Sequence, residues 1–313
     1  MRQLTLACCQ YPIEPIGSLT AWRRKLDGML ASATEDGARL CLFPEYAAME
    51  LTAALPDDGV RPGADGEDVA VARAALATQL EALQALVPDY QQILVDLARA
   101  HDLWLVGPSL PIAGTDAAGQ RVYHNQAAVI APTGAATFVD KLQMTRFERE
   151  LWGIAPGQRQ LVVEADFGRF GVTICYDAEF PLIGRRLADA GAELLLVPSC
   201  TDGLAGYHRV RVAAAARALE NQLFVATAPT VGNADWSLAV DRNVGAAHVF
   251  CPPDRGLPPD GVVASGELDR PGWLMATIDL DDVARIRAEG QVLGHRDWGR
   301  PAHVGGPAPT AWP

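Results

Sequence analysis

One residue of this sequence that could do chemistry is a cysteine at the end of an apolar run. In GVTICYDAEF, Cys175 follows small and apolar residues that predict a buried strand. Asp177, Glu179 and Pro181 come next, and acids and proline are typical of a helix N-terminus. A thiol on such a strand-to-helix turn faces backbone N–H groups, which lower its pKa and make it nucleophilic. The alternative is a small apolar residue that simply ends a buried strand.

A nucleophilic thiol needs a base and a group that stabilises the oxyanion formed at an attacked carbonyl. Glu45 follows the apolar run LCLFP, where burial raises the pKa of a carboxyl group towards that of a useful base. Lys141 ends the strand ATFVDK and could donate to the oxyanion. Both could equally be solvated residues at strand ends. Weaker candidates are His124, Cys200, which ends LLLVPSC and is the rival nucleophile, and Asp177, which could simply cap the helix.

Alternating strands and helices must position these residues. Amphipathic periodicity predicts helices over residues 19–37, 69–87 and 89–102. Turn signals at residues 133–134 and 167–168, each between apolar runs, predict two β-hairpins. We therefore expect an α/β fold with a mixed sheet and helices outside it. With this many strands, two packed sheets are expected rather than one.

The remaining segments complete the predicted organisation. Residues 103–112 form one apolar run that predicts a single strand, and the Pro/Gly/Asp-rich residues 52–66 predict a long loop. No change in composition divides the chain, so we expect one domain over residues 1–300. Residues 301–313 are rich in proline and glycine and predict a flexible or partner-draped tail.

Charge and cysteine usage limit the classes of partner and site. The net charge of −12 argues against nucleic acid and anionic membrane as partners. The six cysteines form no C-x-x-C pair, and no histidine lies at zinc-ligand spacing from them, so neither a disulfide framework nor a structural zinc site is expected. No stretch approaches the roughly 20 apolar residues of a membrane span. We expect a cytoplasmic protein.

Glutamate, lysine and cysteine at strand ends, in that order, resemble the nitrilase superfamily of carbon–nitrogen hydrolases. Three segments carry the resemblance: LCLFPEYAAME around Glu45, DKLQMTRFERELWGIAPG around Lys141, and GVTICYDAEFP around Cys175. The resemblance covers nearly the whole chain. It implies a general base at Glu45, a catalytic lysine at Lys141 and a nucleophile at Cys175. Glu148 falls where a further glutamate of the family supports the lysine, and we expect it to be exposed or half-exposed.

The resemblance also implies a mechanism and a fold. Glu45 takes the thiol proton, while Lys141 and the backbone N–H of Tyr176 stabilise the oxyanion, and water hydrolyses a thioester on Cys175 without metal or organic cofactor. The implied fold is a four-layer α-β-β-α sandwich of two mixed sheets packed face to face. Family members form at least dimers, and the alanine-rich segment VRVAAAARALEN suits either such an interface or packing within one subunit.

The substrate is less well defined by the sequence. Tyr176 and Asp177 follow the cysteine where true nitrilases usually carry tryptophan and glutamate, so the resemblance favours a small linear amide as substrate. The branch it resembles is poorly characterised, and some of its members are fused to an acetyltransferase. The alternatives are a nitrile hydrolase, an acyl transferase and a non-catalytic scaffold protein. Candidate substrate-binding residues are Tyr46, Trp152, Cys200 and Thr201.

Overall fold

Strands and helices alternate along the chain in the computed structural model, which describes residues 2–55, 69–116, 118–237 and 239–299. The α-helices are α1 (Leu19–Glu35), α2 (Val69–Leu83), α3 (Val87–Ala100), α4 (Pro181–Asp189), α5 (Leu204–Asn221), α6 (Asp281–Glu289) and α7 (Gly294–Asp297). The strands are β1 (Gln3–Pro12), β2 (Leu40–Leu42), β3 (Trp104–Val106), β4 (Leu110–Thr115), β5 (Arg121–Ile130), β6 (Ala136–Asp140), β7 (Val162–Ala165), β8 (Gly168–Val172), β9 (Leu194–Ser199), β10 (Phe224–Asn233), β11 (Arg242–Asn243), β12 (His248–Phe250), β13 (Val262–Ser265) and β14 (Gly272–Asp279).

The strands pair in both directions. Nine of the strands in the described residues follow the order β4-β5-β3-β2-β1-β10-β9-β8-β7, and the others pair at the sides of this path. Strand β1 is parallel to β2 and antiparallel to β14. The predicted hairpins are confirmed as β5–β6 and β7–β8. The predicted mixed α/β fold is therefore confirmed.

The side chains of β1 divide between two hydrophobic clusters because successive residues of a strand point to opposite faces. Leu4 and Leu6 belong to a cluster that also holds residues of β8, β9 and β10. Ala7 and Cys9 belong to a second cluster, which includes residues of α1 and α3 such as Trp22. Both faces of this central strand are thus covered, which agrees with its nearly continuous run of apolar residues.

The two halves of the strand path are joined through β1 and β10. Their parallel pairing involves Tyr11 with Thr230 and Pro12 with Val231. This junction links all the described strands into one continuous set, so the predicted division into two face-to-face sheets stays a prediction. Among the described residues, none of the helices combines the length and apolar character that crossing a bilayer requires.

Two predicted elements differ from the observed ones. The single strand predicted over residues 103–112 is two strands, β3 and β4, which pair one after the other with β5 and are separated by a break at residues 107–109. Gly107 and Pro108 fall between them, and proline cannot donate a ladder hydrogen bond. Of the predicted 52–66 loop, the first residues continue a 3₁₀ helix, Ala47–Ala54, and residues 56–66 lie outside the described residues. The predicted tail, 301–313, also lies outside them.

A buried carboxylate ties that 3₁₀ helix to β1 and α1. Glu50 is fully buried, accepts a hydrogen bond from the hydroxyl of Tyr11, and pairs with Nζ of Lys25 at 2.8 Å. We expect Glu50→Ala to lower the free energy of unfolding by about 3 kcal/mol, because it leaves a buried hydroxyl and a largely buried ammonium without their shared partner. Urea denaturation measures this loss.

The matched control for this prediction is an exposed ion pair. Glu81 pairs with Arg121 at 2.9 Å, and both side chains are more than half exposed. Glu81→Ala should change the free energy of unfolding by no more than about 1 kcal/mol. Equal losses in the two variants would contradict a structural role for the buried Glu50.

Candidate active site

A cavity of about 720 Å³ opens beside the strand ends that the sequence singled out. The residues predicted for catalysis or substrate binding line it: Glu45, Tyr46, Lys141, Glu148, Trp152, Cys175, Tyr176, Cys200 and Thr201. The structure therefore brings together residues that are up to 156 positions apart in the sequence, from Glu45 to Thr201. A volume of this size lies within the range of about 300–1,000 Å³ that is usual for small-molecule sites.

Each of the central residues follows a strand. Glu45 comes three residues after β2, Lys141 directly after β6, and Cys175 three residues after β8. Cys175 begins a 3₁₀ helix, Cys175–Glu179, with φ of 49°, and Tyr46 has φ of 54°. Backbone in this left-handed region is uncommon for residues other than glycine and is often found at functional sites. The predicted turn after the strand is present, as a 3₁₀ helix followed by α4.

Lys141 lies between two carboxylates. Its Nζ is 2.7 Å from Oε1 of Glu45 and 2.7 Å from Oε2 of Glu148, and all three side chains are nearly inaccessible to solvent. The hydroxyl of Tyr46 donates to Oε1 of Glu148 at 2.7 Å, and the backbone N–H of Thr145 donates to its Oε2 at 2.9 Å. The expectation that Glu148 is exposed or half-exposed is wrong, because these partners hold it inside the cavity wall.

Asn125, which was not among the candidates, connects the same groups. It is fully buried on β5, and its Nδ2 donates to Oε1 of Glu45 at 2.8 Å. A longer contact of 3.5 Å joins Nδ2 to Oε1 of Glu148. The backbone N–H of Lys141 donates to the Asn125 carbonyl at 2.8 Å. The register of the predicted hairpin could have indicated this residue, since it places a polar side chain beside Lys141.

The ion pairs and burial change the proton affinities of the three charged groups. Burial raises the pKa of Glu45 to about 7, although the Lys141 ammonium acts to lower it. Burial alone acts to lower the pKa of Lys141, but the two carboxylates raise it well above its usual value. Burial acts to raise the pKa of Glu148, but Lys141 holds it below its ordinary value. Of the two carboxylates that contact Lys141, Glu45 is thus the one whose pKa lies near neutrality.

The surroundings of the Cys175 thiol favour its neutral form. Burial and the nearby Glu45 carboxylate raise the pKa of Cys175 well above its usual value. Its Sγ donates to the carbonyl oxygen of Cys200 at 3.7 Å. The prediction of a lowered thiol pKa is therefore wrong in direction, because desolvation and a negative neighbour outweigh the backbone N–H groups of the short helix. Any nucleophilic role for this thiol requires a base.

Cys200 and Thr201 face the cavity with partners of their own. The Cys200 thiol donates to Oδ1 of Asn243 at 3.2 Å, and burial raises the pKa of Cys200 well above its usual value. The Thr201 hydroxyl donates to the carbonyl of Val244 at 2.7 Å. His124, a weaker candidate, lies on β5, where its ring Nδ1 is 3.1 Å from the carbonyl of Ala155.

Asp177 connects the lysine and cysteine segments and is more than a helix cap. Its carboxylate accepts hydrogen bonds from the backbone N–H groups of Gln143 at 2.7 Å, Leu142 at 3.1 Å and Ile174 at 3.2 Å. Burial raises the pKa of Asp177 to about 6, against the opposing effect of Lys141. This one side chain therefore fixes the chain after Lys141 relative to the turn that carries the thiol.

A neutral thiol, a carboxylate with a pKa near 7 and an ammonium in one cavity can act as nucleophile, base and hydrogen-bond donor towards a carbonyl group. The aromatic side chains of Tyr46, Phe147 and Trp152 form part of the same wall. Within the described residues, no group of three or more histidine, cysteine or acidic side chains is arranged to hold a metal ion.

Residues 5–288 match the family model for carbon-nitrogen hydrolase. The probable hydrolase YhcX of Bacillus subtilis is 28% identical over 288 residues, which are 92% of this chain and 52% of that protein. The chain thus spans about half the length of that relative. The deaminated glutathione amidase of Synechocystis sp. is 25% identical over 262 residues, 77% of this chain and 89% of that one. The carbon-nitrogen hydrolase structure from Helicobacter pylori has a TM-score of 0.71 at 18% identity and covers 97% of this chain and 95% of that one.

Proposed function

The chain belongs to the carbon–nitrogen hydrolase family, within the nitrilase superfamily, and we propose that it hydrolyses small linear amides through a thioester on Cys175. One observation carries this proposal. Lys141 lies between Glu45 and Glu148 at 2.7 Å from each, in the cavity that the Cys175 thiol also lines. That set supplies a nucleophile, a base and an oxyanion donor at one place, which acyl transfer from an amide requires.

In the first half of the proposed reaction, Glu45 takes the proton of the Cys175 thiol as the sulfur attacks the amide carbonyl carbon. The raised pKa of Cys175 makes this base necessary, and the pKa of about 7 at Glu45 suits it to accept a proton and return it. The oxyanion forms hydrogen bonds to Lys141 and to the backbone N–H of Tyr176. Collapse breaks the carbon–nitrogen bond, and ammonia or amine leaves with the proton from Glu45.

In the second half, water attacks the thioester carbonyl. Glu45 takes a proton from the water, and collapse of the second oxyanion breaks the carbon–sulfur bond. The Cys175 sulfur recovers a proton from Glu45, and the carboxylic acid leaves. Glu148 keeps the Lys141 ammonium charged and in place through both halves, supported by the hydrogen bond from the Tyr46 hydroxyl. The proposed reaction consumes water and uses no organic cofactor or metal ion.

Assay of ammonia release from primary amides tests the proposed function. We expect wild-type enzyme to release ammonia from amides and to hydrolyse the nitrile of the same carbon chain at least about tenfold more slowly in kcat/KM, because the site holds donors placed for a carbonyl oxygen. Measuring the carboxylic acid formed in the same reactions tests the acyl-transferase alternative, because hydrolysis yields one acid for each ammonia released, whereas transfer to another acceptor yields less acid than ammonia. Larger kcat/KM values for nitriles across matched pairs would overturn the amidase proposal.

The pH profile follows from the raised pKa of Glu45. A protonated Glu45 cannot accept the thiol proton, so kcat/KM should fall as the pH falls through about 7, the value to which burial raises the pKa of this group. Below the pKa, kcat/KM should fall on the order of tenfold for each pH unit. Steady-state kinetics between pH 5 and 9, in buffers of constant ionic strength, measures this acidic limb of the profile. A constant kcat/KM from pH 8 to 5 would exclude Glu45 as the base.

We expect Asn125 to affect the pH at which kcat/KM falls. Its Nδ2 donates to Glu45 at 2.8 Å, and hydrogen bonds to the charged form lower the pKa of a carboxyl group. We expect Asn125→Leu, which keeps the branched shape but removes the donor, to move the acidic limb to higher pH. The control is Gln126→Leu, since Gln126 is the next residue on β5 and donates to Asp140 instead. An unmoved limb in Asn125→Leu would assign Asn125 a packing role alone.

The assembly and layer arrangement implied by the family are part of the proposal. We propose a four-layer α-β-β-α sandwich, which is supported by the two hydrophobic clusters on the two faces of β1. We also propose a homodimer or larger homo-oligomer. Exposed apolar side chains on α4 and α5, Leu182, Val212 and Leu219, support an interface on these helices. Light scattering coupled to size-exclusion chromatography tests the oligomeric state.

A further inference from the structure

Three aromatic rings lead from the surface to the buried cluster of Glu45, Lys141 and Glu148. Phe147 is 49% exposed, and its ring packs edge-on against Trp152 with centroids 5.7 Å apart. Trp152 is buried and packs against Tyr46 at 4.8 Å. The Tyr46 hydroxyl in turn donates to Glu148 at 2.7 Å. We call Phe147, Trp152 and Tyr46 the aromatic row.

The aromatic row continues into an aliphatic surface in the same cavity. Leu151 lies on the π-helical turn Glu148–Trp152, and Ala72 and Leu76 on α2 line the cavity as well. An apolar group that covers the exposed phenyl ring and this surface removes both from water, which is favourable. Apolar walls with a few polar groups at one end are typical of small-molecule sites.

Outside the cluster of Glu45, Lys141 and Glu148, the charged side chains of the lining are either ion-paired or come from segments away from the aromatic row. Arg146 pairs with Glu150 at 2.8 Å, and Arg209 with Glu179 at 3.4 Å, so these arginines already have anionic partners. Further lining charges, Asp202, Asp241 and Arg242, belong to the segments before α5 and at β11. The wall formed by the aromatic row and α2 is therefore suited to an uncharged group.

We propose that the aromatic row binds the acyl group of the substrate, and that the preferred substrates are primary amides of arylalkanoic or medium-chain aliphatic acids. This inference rests on the proposed amidase function. Ammonia is the leaving group of a primary amide, so any sizeable apolar part of the substrate belongs to its acyl side. A cavity of about 720 Å³ has far more room than a two-carbon amide fills.

Kinetics on a homologous series tests the acyl subsite. The wild-type enzyme should show kcat/KM values that rise about fourfold with each methylene from propionamide to hexanamide, as burial of that group predicts. Phe147→Ala should lower the ratio of kcat/KM for hexanamide to that for propionamide by about tenfold. Phe138→Ala is the matched control, because Phe138 is 37% exposed on β6 and should leave the ratio unchanged.

A binding measurement separates failure of this inference from failure of the proposed function. Calorimetric titration of Cys175→Ala with hexanamide and with propionamide gives the two Kd values without any turnover. We expect hexanamide to bind about tenfold or more tightly. Equal Kd values, or a flat kinetic series with ammonia still released, would overturn the acyl subsite alone. A chain-length preference in Kd with no ammonia from any amide would keep the subsite and overturn the proposed hydrolysis.

Discussion

Cys175→Ala is expected to lower kcat for amide hydrolysis by about 10⁴-fold or more, the scale seen when an enzyme loses its nucleophile. The sulfur forms the bond that carries the acyl group in the proposed reaction, and alanine offers no atom that can replace it. The side chain is small and lies at the start of a short 3₁₀ helix, so the variant should remain folded. Ammonia release under single-turnover and steady-state conditions measures the loss, and circular dichroism checks the fold.

Two further cysteine variants test whether the loss of activity is specific to Cys175. Cys200 lines the same cavity and is the rival nucleophile, but its thiol is engaged with Asn243. We expect Cys200→Ala to lower kcat by less than about tenfold, because it removes no bond-forming atom. Cys251 is buried outside the cavity lining, and Cys251→Ala should leave kcat unchanged. Loss of activity in Cys200→Ala with full activity in Cys175→Ala would reverse the assignment.

Glu148→Gln is expected to lower kcat on the order of a hundredfold, as when an oxyanion-stabilising group is disturbed. Glutamine keeps the shape of the side chain but removes the charge that holds the Lys141 ammonium at 2.7 Å. Lys141 then shifts towards Glu45, which becomes a weaker base. Because the loss falls on the chemical step, KM should change much less than kcat, and steady-state kinetics separates the two.

The burial of Glu148 adds a stability effect to this prediction. Since the side chain is buried and ion-paired, we expect the free energy of unfolding to fall by about 1–3 kcal/mol. Glu150→Gln is the matched control, because Glu150 is two residues away and pairs with the exposed Arg146. It should leave kcat unchanged and stability within about 0.5 kcal/mol. Equal kinetics for the two variants would make Glu148 a structural residue only.

The sequence predicted the positions of the main site residues because each follows a strand in a recognisable pattern. Glu45, Lys141 and Cys175 lie after β2, β6 and β8, where the apolar runs ended. Asn125 could not be recognised in the same way, since an asparagine inside a strand carries no chemical signal until the hairpin register places it beside Lys141. The roles of these residues stay proposals that the variants above test.

Electrostatics was the least predictable part of the site. The local pattern around Cys175 indicates a helix N-terminus, which lowers a thiol pKa, but the burial and the Glu45 charge that raise it come from distant parts of the chain. The same limit applies to Glu148, whose sequence neighbours include the exposed Phe147 and Arg149, while its partners Tyr46 and Lys141 bury it. Tertiary contacts, not local sequence, set both properties.

Intact-protein mass spectrometry detects the proposed thioester on Cys175 without relying on turnover. Wild-type enzyme mixed with excess amide and quenched in acid should gain the mass of one acyl group less one hydrogen, and peptide mapping should place it on Cys175. Hydroxylamine should remove the added mass, as expected of a thioester, and Cys175→Ala should gain none. An acyl adduct on Cys200 in place of Cys175, or an equal acyl adduct in Cys175→Ala, would contradict a thioester on Cys175.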